Sequence, residues 1–272
     1  VYYSLYLNPE FDKKLEATLL KTKGKRRRSG RGILPIEDSY PLIGEMRLRK
    51  SEYEVETMRR ACQITSEAHI ELMKVVRPDV NERALQGRFL QEIMTRGAAR
   101  EGYPSIVAGG ANATTLHYVF NDQPLKAGDL LLVDAGAEYD YYSGDITRTY
   151  PVSGKFSPAQ GRLYARILEL QKHLIKMAKP GVAFSLFQST AIDGLIDIML
   201  AERLLTGDRQ QIKEQKSFLR YYPHGVSHYL GLDVHDAGTV EVNGQSRLLE
   251  PGMAFTVEPG IYIPYDDKSA PA

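Results

Sequence analysis

The stretch GDLLLVDAG, residues 128–136, matches a later stretch, GMAFTVEPG, residues 252–260, without a gap. Both end glycines, a valine and the carboxylate after it recur at a constant offset of 124 positions, as from Asp134 to Glu258. Short apolar strands bounded by glycine can resemble each other by chance, because they are common. The matched carboxylates favour an internal repeat over chance, and this repeat is more informative about the fold than any single segment.

A pair of aspartates accompanies the first stretch. Asp134 ends a run of four apolar residues, where a buried carboxylate is costly unless a positive group meets it. If the chain forms a hairpin that turns at Tyr139 and Asp140, cross-strand partners sum to 279 and Asp134 faces Asp145. Two carboxylates about 5 Å apart repel each other, and a metal ion would remove the conflict. In the alternative interpretation Asp145 caps a turn or pairs with Arg148.

Histidines and a third carboxylate strengthen the metal interpretation. The segment PHGVSHYLGLDVHD, residues 223–236, holds three of the six histidines, and clustered histidines beside glycines are typical of a site. Pro259 keeps the preceding Glu258 extended. The candidate ligand set has one imidazole and three carboxylates, a ratio that favours manganese, with cobalt or zinc as substitutes. Its members are Asp134, Asp145, His228 and Glu258.

Helical patterns precede both stretches. Ser51 to Glu54 forms a capping box, and apolar residues continue that helix toward Pro78. Asn81 begins a second helix that ends near Gly97. Further helices are predicted over residues 158–178 and 185–205, and strands over residues 1–7, over 105–152 and from about 222 onward. The segment 21–31 holds seven Lys or Arg interleaved with Gly and Ser, which predicts an exposed linker without a helix.

Composition restricts the class of protein. Of 272 residues 43% are hydrophobic and 25% are charged, as in globular domains. A net charge of +1 gives no long-range field for nucleic acid or an anionic membrane. One cysteine, Cys62, excludes an internal disulfide, fits a reducing compartment and is expected to be buried. No run is expected to be apolar enough for a membrane span, and we expect a cytoplasmic location.

Four runs together resemble the aminopeptidase P branch of the pita-bread metallopeptidase family, which also includes prolidase and methionine aminopeptidase. The resemblance covers roughly residues 45 to 272. It implies an α+β pita-bread fold, with two pseudo-twofold related αβ halves and a curved antiparallel sheet covered by helices, which would account for the repeat. The runs are Tyr103–Tyr118, Gly128–Phe156, His224–Asp236 and Leu249–Ile263.

The resemblance implies a chemistry and a role for each matching residue. It implies two divalent metal ions and a water or hydroxide between them that attacks the carbonyl before a proline at the second position of a peptide. Glu258 would accept the proton, and His235 and His117 would stabilise the oxyanion. Asp134, Asp145, His228 and Glu258 match four of five family metal ligands, and His117, His224 and His235 match substrate-site histidines.

Two departures from the family pattern give further expectations. The fifth ligand is a glutamate on a later strand, and no acid before Ala272 replaces it convincingly. Residues 1–44 are expected to be the remnant of an N-terminal domain with a linker, and residues 45–272 a catalytic domain truncated at its C-terminus. We therefore expect a folded chain of low activity, whose oligomeric state is left open.

Three other functions stay open. Prolidase, which cleaves only Xaa-Pro dipeptides, is the nearest rival, and methionine aminopeptidase shares the implied fold but fits the flanks less well. A binding module that keeps the fold and has lost the catalytic site is the third. The flanks of Asp145 and His235 favour an Xaa-Pro aminopeptidase over the two other peptidases, and the four matching ligands argue against a binding module.

Overall fold

The chain is built from two similar halves, each with two helices followed by paired extended segments. The structure, a computed structural model, describes residues 1–29 and 35–267. The helices are α1 (Pro9–Ser29), α2 (Tyr40–Leu48), α3 (Glu52–Met73), α4 (Glu82–Thr95), α5 (Pro158–Met177), α6 (Phe184–Ala201) and α7 (Arg209–Glu214). The strands are β1 (Arg100–Glu101), β2 (Ile106–Gly109), β3 (Leu130–Ala135), β4 (Ala137–Tyr139), β5 (Tyr142–Ser143), β6 (Ile146–Pro151), β7 (Glu241–Val242) and β8 (Gln245–Ser246).

The first half folds as its sequence pattern predicts. The capping box at Ser51 begins α3, and the Asn81 side chain accepts from the Arg83 N–H at the start of α4. β3 pairs antiparallel with β2 on one side and with β6 on the other. Phe89 of α4 and Val133 of β3 are fully buried in the core between helices and sheet.

The internal repeat is structural as well as sequential. Asp134 is the register partner of Ile106 on the preceding strand. In the second half the Glu258 N–H donates to the Val226 carbonyl at 2.9 Å, and Tyr229 bridges Phe255 in antiparallel fashion. Both carboxylates therefore lie at the same place in corresponding strand pairs, one from each half.

The register of the first hairpin corrects one prediction. Asp134 pairs with Thr147, so partners sum to 281 instead of 279, and this register places Asp145 across from Gly136. The turn lies at Asp140 and Tyr141, which both have positive φ (48° and 69°), as a two-residue hairpin turn of the primed type requires. Because the error is two positions, both aspartates still point to the same face of the hairpin.

Gly136 and Gly144, which lie between the two aspartates in the sequence, allow the hairpin to pass close to α3. A Cβ on Gly136 would lie 1.7 Å from the Gly144 carbonyl oxygen, and one on Gly144 would lie 2.6 Å from the hydroxyl of Thr65. No other residue type fits this approach without moving the backbone.

The second half has its own core and fewer regular strands than predicted. Leu195 of α6 and Tyr222 are fully buried there, and Met58, Tyr142 and Leu230 pack between the halves. From residue 222 to 267 only β7, β8 and isolated bridges are regular, because the segments pair through scattered hydrogen bonds. Contrary to expectation, α6 is long and apolar enough to cross a membrane, by length and composition alone. Several of its residues are fully buried in the core of the second half, where it packs as a core helix.

The N-terminal part corrects three further predictions. Helix α1 runs through the basic segment as far as Ser29, because Lys and Arg favour helices and one interior glycine costs only about 1 kcal/mol; residues 30 and 31 lie outside the described residues. The first seven residues form no strand, only a bridge from Tyr2 to Glu37. Cys62 is half-buried rather than buried. The predicted domain boundary after residue 44 falls inside α2 and stays a prediction.

The short connection between α2 and α3 holds the second half in place. The Lys50 N–H donates to the Gly252 carbonyl at 2.8 Å, and its ammonium donates to Asp236 at 2.9 Å. Both side chains of this ion pair are 1% exposed. Arg47 binds the other oxygen of Asp236. This segment therefore fixes the positions of residues 236 and 252, which lie before and after the β7–β8 hairpin.

We predict that Lys50→Met lowers the free energy of unfolding by about 3 kcal/mol, because it removes one partner from a buried ion pair. Urea denaturation measures the loss. Arg49→Met is the matched control: Arg49 binds Glu250 on the surface, with 44% and 43% of the side chains exposed, and should cost less than about 1 kcal/mol. Equal losses of unfolding free energy in the two variants would show that the buried ion pair contributes no more to stability than the surface pair.

Candidate metal centre

Three of the four candidate ligands meet directly between the two halves. His228 Nε2 lies 3.2 Å from Asp145 Oδ2 and 3.3 Å from Glu258 Oε1. Asp145 comes from the first half, while His228 and Glu258 come from the second. The cluster therefore forms only when the halves pack together.

Tyr103 joins the fourth candidate, Asp134, to this cluster. Its hydroxyl lies 2.6 Å from Asp134 Oδ1 and 2.9 Å from Asp145 Oδ1. Because a hydroxyl has one proton, Tyr103 donates to one of the two carboxylates at a time, and the oxygen of the other carboxylate lies nearby without accepting that proton. Tyr103 begins one of the runs that carry the family resemblance, but nothing in its neighbours identified it as a site residue.

The electrostatics of Asp134 reflect crowded negative charge. Burial is the main cause that raises its pKa to about 6, and the charges of Asp145 and Glu258 raise the pKa further. Like charges at short distance favour the protonated form of one of them. A divalent cation would remove this conflict, so the carboxylates have the negative charge that such an ion needs.

His228 is oriented as a metal ligand would be. Its Nδ1 lies 2.9 Å from the Tyr229 carbonyl oxygen, to which only a protonated nitrogen can donate. In the neutral ring Nε2 then carries the lone pair, and Nε2 faces Asp145 and Glu258. Burial alone would lower the pKa of His228, but hydrogen bonds to the two carboxylates outweigh burial and raise the pKa to about 10.

Thr256 supports Glu258 from its own segment. Its hydroxyl donates to Glu258 Oε1 at 2.7 Å, and its oxygen also accepts from the His228 N–H at 3.1 Å. One threonine therefore fixes the glutamate relative to the backbone of the histidine. Threonine in an apolar strand is common, so the sequence contained no signal for this role.

The three candidate substrate histidines lie at different distances from the cluster. The His235 ring centroid is 4.1 Å from that of His228, and burial followed by the charge of His228 lowers the His235 pKa. His224 Nε2 lies 3.1 Å from the hydroxyl of Tyr262, a second residue that the pattern did not identify. His117 is exposed on a loop, with φ of 55°.

The donor set fits a hard divalent ion, although it is not yet arranged around one. Carboxylate oxygens and one imidazole nitrogen suit manganese, and zinc also accepts this mixture. Across residues 1–29 and 35–267, no three His, Cys, Asp or Glu side chains have the spacing of a closed metal site. The Tyr103 hydroxyl and the ring N–H of His228 are hydrogen-bonded to the carboxylate oxygens, and a metal ion would compete with both donors for these oxygens. The role of the four residues as ligands stays a prediction.

Comparison with known proteins gives a consistent result. The model of metallopeptidase family M24 matches residues 56–270. Xaa-Pro aminopeptidase of Haemophilus influenzae is 45% identical over 235 residues, which are 85% of this chain and 54% of that protein. Human Xaa-Pro aminopeptidase 3 is 40% identical over 260 residues, 93% of this chain and 48% of that protein. The chain thus spans about half the length of the curated relatives it matches.

Solved structures confirm the predicted fold class. The structure of Pseudomonas aeruginosa aminopeptidase PepP covers 100% of this chain and 61% of its own, with a TM-score of 0.92 and 39% identity. Zinc-substituted Escherichia coli aminopeptidase P in complex with product covers the same 100% of this chain and 61% of its own, with a TM-score of 0.89 and 36% identity. The α+β pita-bread architecture with two related halves is therefore correct for this chain.

The raised pKa of Asp134 predicts a pH dependence of stability in the metal-free protein. Its pKa is about 6 when folded, against an ordinary value of 3.8 for an aspartate side chain, so the folded state holds the proton more tightly. Stability then falls as pH rises between these two values, by about 3 kcal/mol in total. Asp134→Asn carries no titrating proton at this position. Its free energy of unfolding should therefore rise relative to that of wild type by about 3 kcal/mol between about pH 4 and pH 7.

Urea denaturation with a chelator, at several pH values, measures this difference. Subtracting the two curves removes groups that titrate alike in both proteins, such as buried His69, whose pKa burial lowers to about 4. A stability difference that stays constant over this range would show that Asp134 is not held near the other carboxylates.

Proposed function

This chain belongs to metallopeptidase family M24, and from that premise we propose that it carries the catalytic centre of an Xaa-Pro aminopeptidase. The observation that carries the proposal is the meeting of Asp145 and Glu258 at His228 between the halves, with Asp134 joined to Asp145 through the hydroxyl of one tyrosine. Such a centre would hydrolyse the bond between the first residue of a peptide and a proline at the second position. The names of the relatives support this specificity, and the activity of the whole protein is part of the proposal.

We assign two divalent ions, manganese in the first instance, to Asp134, Asp145, His228 and Glu258. When bound, such ions acidify water and polarise the carbonyl of the scissile bond. Three carboxylates compensate much of the added positive charge. The orientation of His228 Nε2 toward two of these carboxylates supports its place in the set.

Glu258 is the proposed proton acceptor. Thr256 holds one of its carboxylate oxygens, which orients the group toward the centre of the cluster. A carboxylate in this position takes the proton of the attacking water and passes it to the leaving proline nitrogen. His228 Nε2 lies 3.3 Å from the same oxygen, Oε1.

His235 and His117 are proposed to stabilise the oxyanion. The lowered pKa of His235 keeps its ring neutral at ordinary pH, so it donates a hydrogen bond without adding charge beside the metal ligands. His224, held by Tyr262, is proposed to contact the substrate. We also propose a cytoplasmic location for the enzyme.

Prolidase is the remaining alternative of the same chemistry, and nothing in the relatives favours it. A length series of peptides separates the two functions. An Xaa-Pro aminopeptidase cleaves tripeptides and longer peptides that carry proline at the second position, whereas a prolidase cleaves only the dipeptide. Matched peptides with alanine at the second position test the proline preference.

Glu258→Gln should lower turnover of an Xaa-Pro-Xaa peptide at least about a hundredfold with excess manganese, because it removes both a ligand and the proton acceptor. KM should change less than kcat. Steady-state kinetics measure both constants.

Glu250→Gln is the matched control for this variant. Glu250 lies in the same segment but binds Arg49 on the surface. It should leave turnover within about twofold of wild type. Near-normal turnover of Glu258→Gln at saturating manganese would place the proton acceptor elsewhere.

A further inference from the structure

A buried carboxylate outside the candidate metal centre has no role so far. Glu82, the first residue of α4, is fully buried. Its Oε1 accepts from the Gly109 N–H at 2.7 Å and from the Asn112 amide at 3.0 Å. Its Oε2 accepts from the Tyr118 hydroxyl at 2.9 Å and from the Gln123 N–H at 3.0 Å.

All four donors belong to one loop, residues 109–123. The two contacts to backbone N–H groups lie at its two ends, so a single side chain closes the loop. The Glu82 N–H also donates to the Gln123 carbonyl. A buried carboxylate is costly unless it is well hydrogen-bonded, and four donors at a helix N-terminus supply that compensation.

The neighbours of Glu82 on α4 bind the same loop. The Asn81 amide donates to the Asp122 carbonyl at 2.8 Å, and Arg83 donates to the Phe120 carbonyl at 2.9 Å. From the other side, the fully buried Asn121 side chain accepts from the Val107 N–H of β2 and donates to the carbonyl of Ser105, which directly precedes β2. The loop is therefore fixed between the start of α4 and the edge of the sheet.

His117 lies in this loop, next to Tyr118. Its ring is exposed and its backbone has φ of 55°, a conformation that non-glycine residues adopt only when the surroundings hold it. Tyr118 is 8% exposed and binds Glu82, so the residue after His117 is anchored directly to the carboxylate. Asn121, at the end of the same loop, binds the residues on either side of Ile106, the register partner of Asp134, which places this part of the loop beside the candidate centre.

We propose that Glu82 is a positioning residue that sets where His117 stands in the cleavage site. This inference rests on the proposed function, because His117 is assigned there to the oxyanion. Glu82 itself touches no ligand of the metal centre. It acts by holding Tyr118 and both ends of the loop, and so determines the direction in which the imidazole enters the site.

A double-mutant cycle tests the proposal with an Xaa-Pro-Xaa peptide and excess manganese. Glu82→Gln replaces an acceptor oxygen with an amide that cannot accept two of the four hydrogen bonds. It should lower kcat/KM at least about tenfold, and His117→Ala should have a similar effect. In the His117→Ala background the same Glu82 change should have less than about a twofold effect, because both act through one side chain. Losses that multiply in the double variant would overturn the proposal.

Histidine NMR gives a readout that needs no activity. In protein labelled at histidine, the His117 resonance, assigned with His117→Ala, should shift or broaden in Glu82→Gln while exposed His173 on α5 stays unchanged. Glu92→Gln is the matched control, since Glu92 is a buried carboxylate on α4 that pairs with Arg88 and Arg96. It should lower stability without moving the His117 resonance.

The two readouts separate the failure of each idea. An unchanged His117 resonance in folded Glu82→Gln overturns the positioning role, whatever the activity. A moved resonance in a protein that cleaves no Xaa-Pro peptide contradicts the proposed function and leaves the positioning of His117 intact. If Glu82→Gln does not fold, Tyr118→Phe, which removes one of the four donors, should move the same resonance in the same direction by a smaller amount.

Discussion

The mutual repulsion of three carboxylates at the junction of two halves is the constraint on which this structure depends. Asp134 and Asp145 come from one hairpin, and Glu258 comes from the corresponding strand of the other half. Bringing such groups together costs free energy, which the raised pKa of Asp134 reflects. Such a costly cluster of negative charge indicates a function, and the donor set fits the binding of divalent ions best.

The remainder of the fold serves to hold these groups against that repulsion. Two glycines let the first hairpin pass close to α3, while its register keeps Asp134 and Asp145 on one face. The buried pair of Lys50 and Asp236 fixes the segments on either side of the β7–β8 hairpin, while Glu82 fixes the loop of residues 109–123. The Lys50–Asp236 pair and Glu82 are buried polar groups whose partners come from distant parts of the chain, and their hydrogen bonds give a defined geometry rather than extra stability.

The sequence was informative where short-range rules apply. The capping box at Ser51 and the cap at Asn81 located α3 and α4, because such caps depend only on residues three positions apart. The repeat pairs Asp134 with Glu258 on sequence alone. The hairpin register was wrong by two positions, since Asp140 and Tyr141 adopt positive φ without the glycine or asparagine that usually marks such a turn. Tyr103 and Glu82 were missed because their partners lie in other parts of the chain, where local patterns contain no information.

The central claim is that the cluster between the halves binds metal, and crystallography with anomalous scattering at the manganese edge tests it most directly. Crystals of the protein grown with manganese should show anomalous peaks bounded by the carboxylates of Asp134, Asp145 and Glu258 and by His228 Nε2. Oxygen and nitrogen ligands should then lie at about 2.0 to 2.3 Å, with the Tyr103 hydroxyl displaced from one aspartate. An anomalous map without a peak at this cluster, or with manganese held by other residues, would contradict the account.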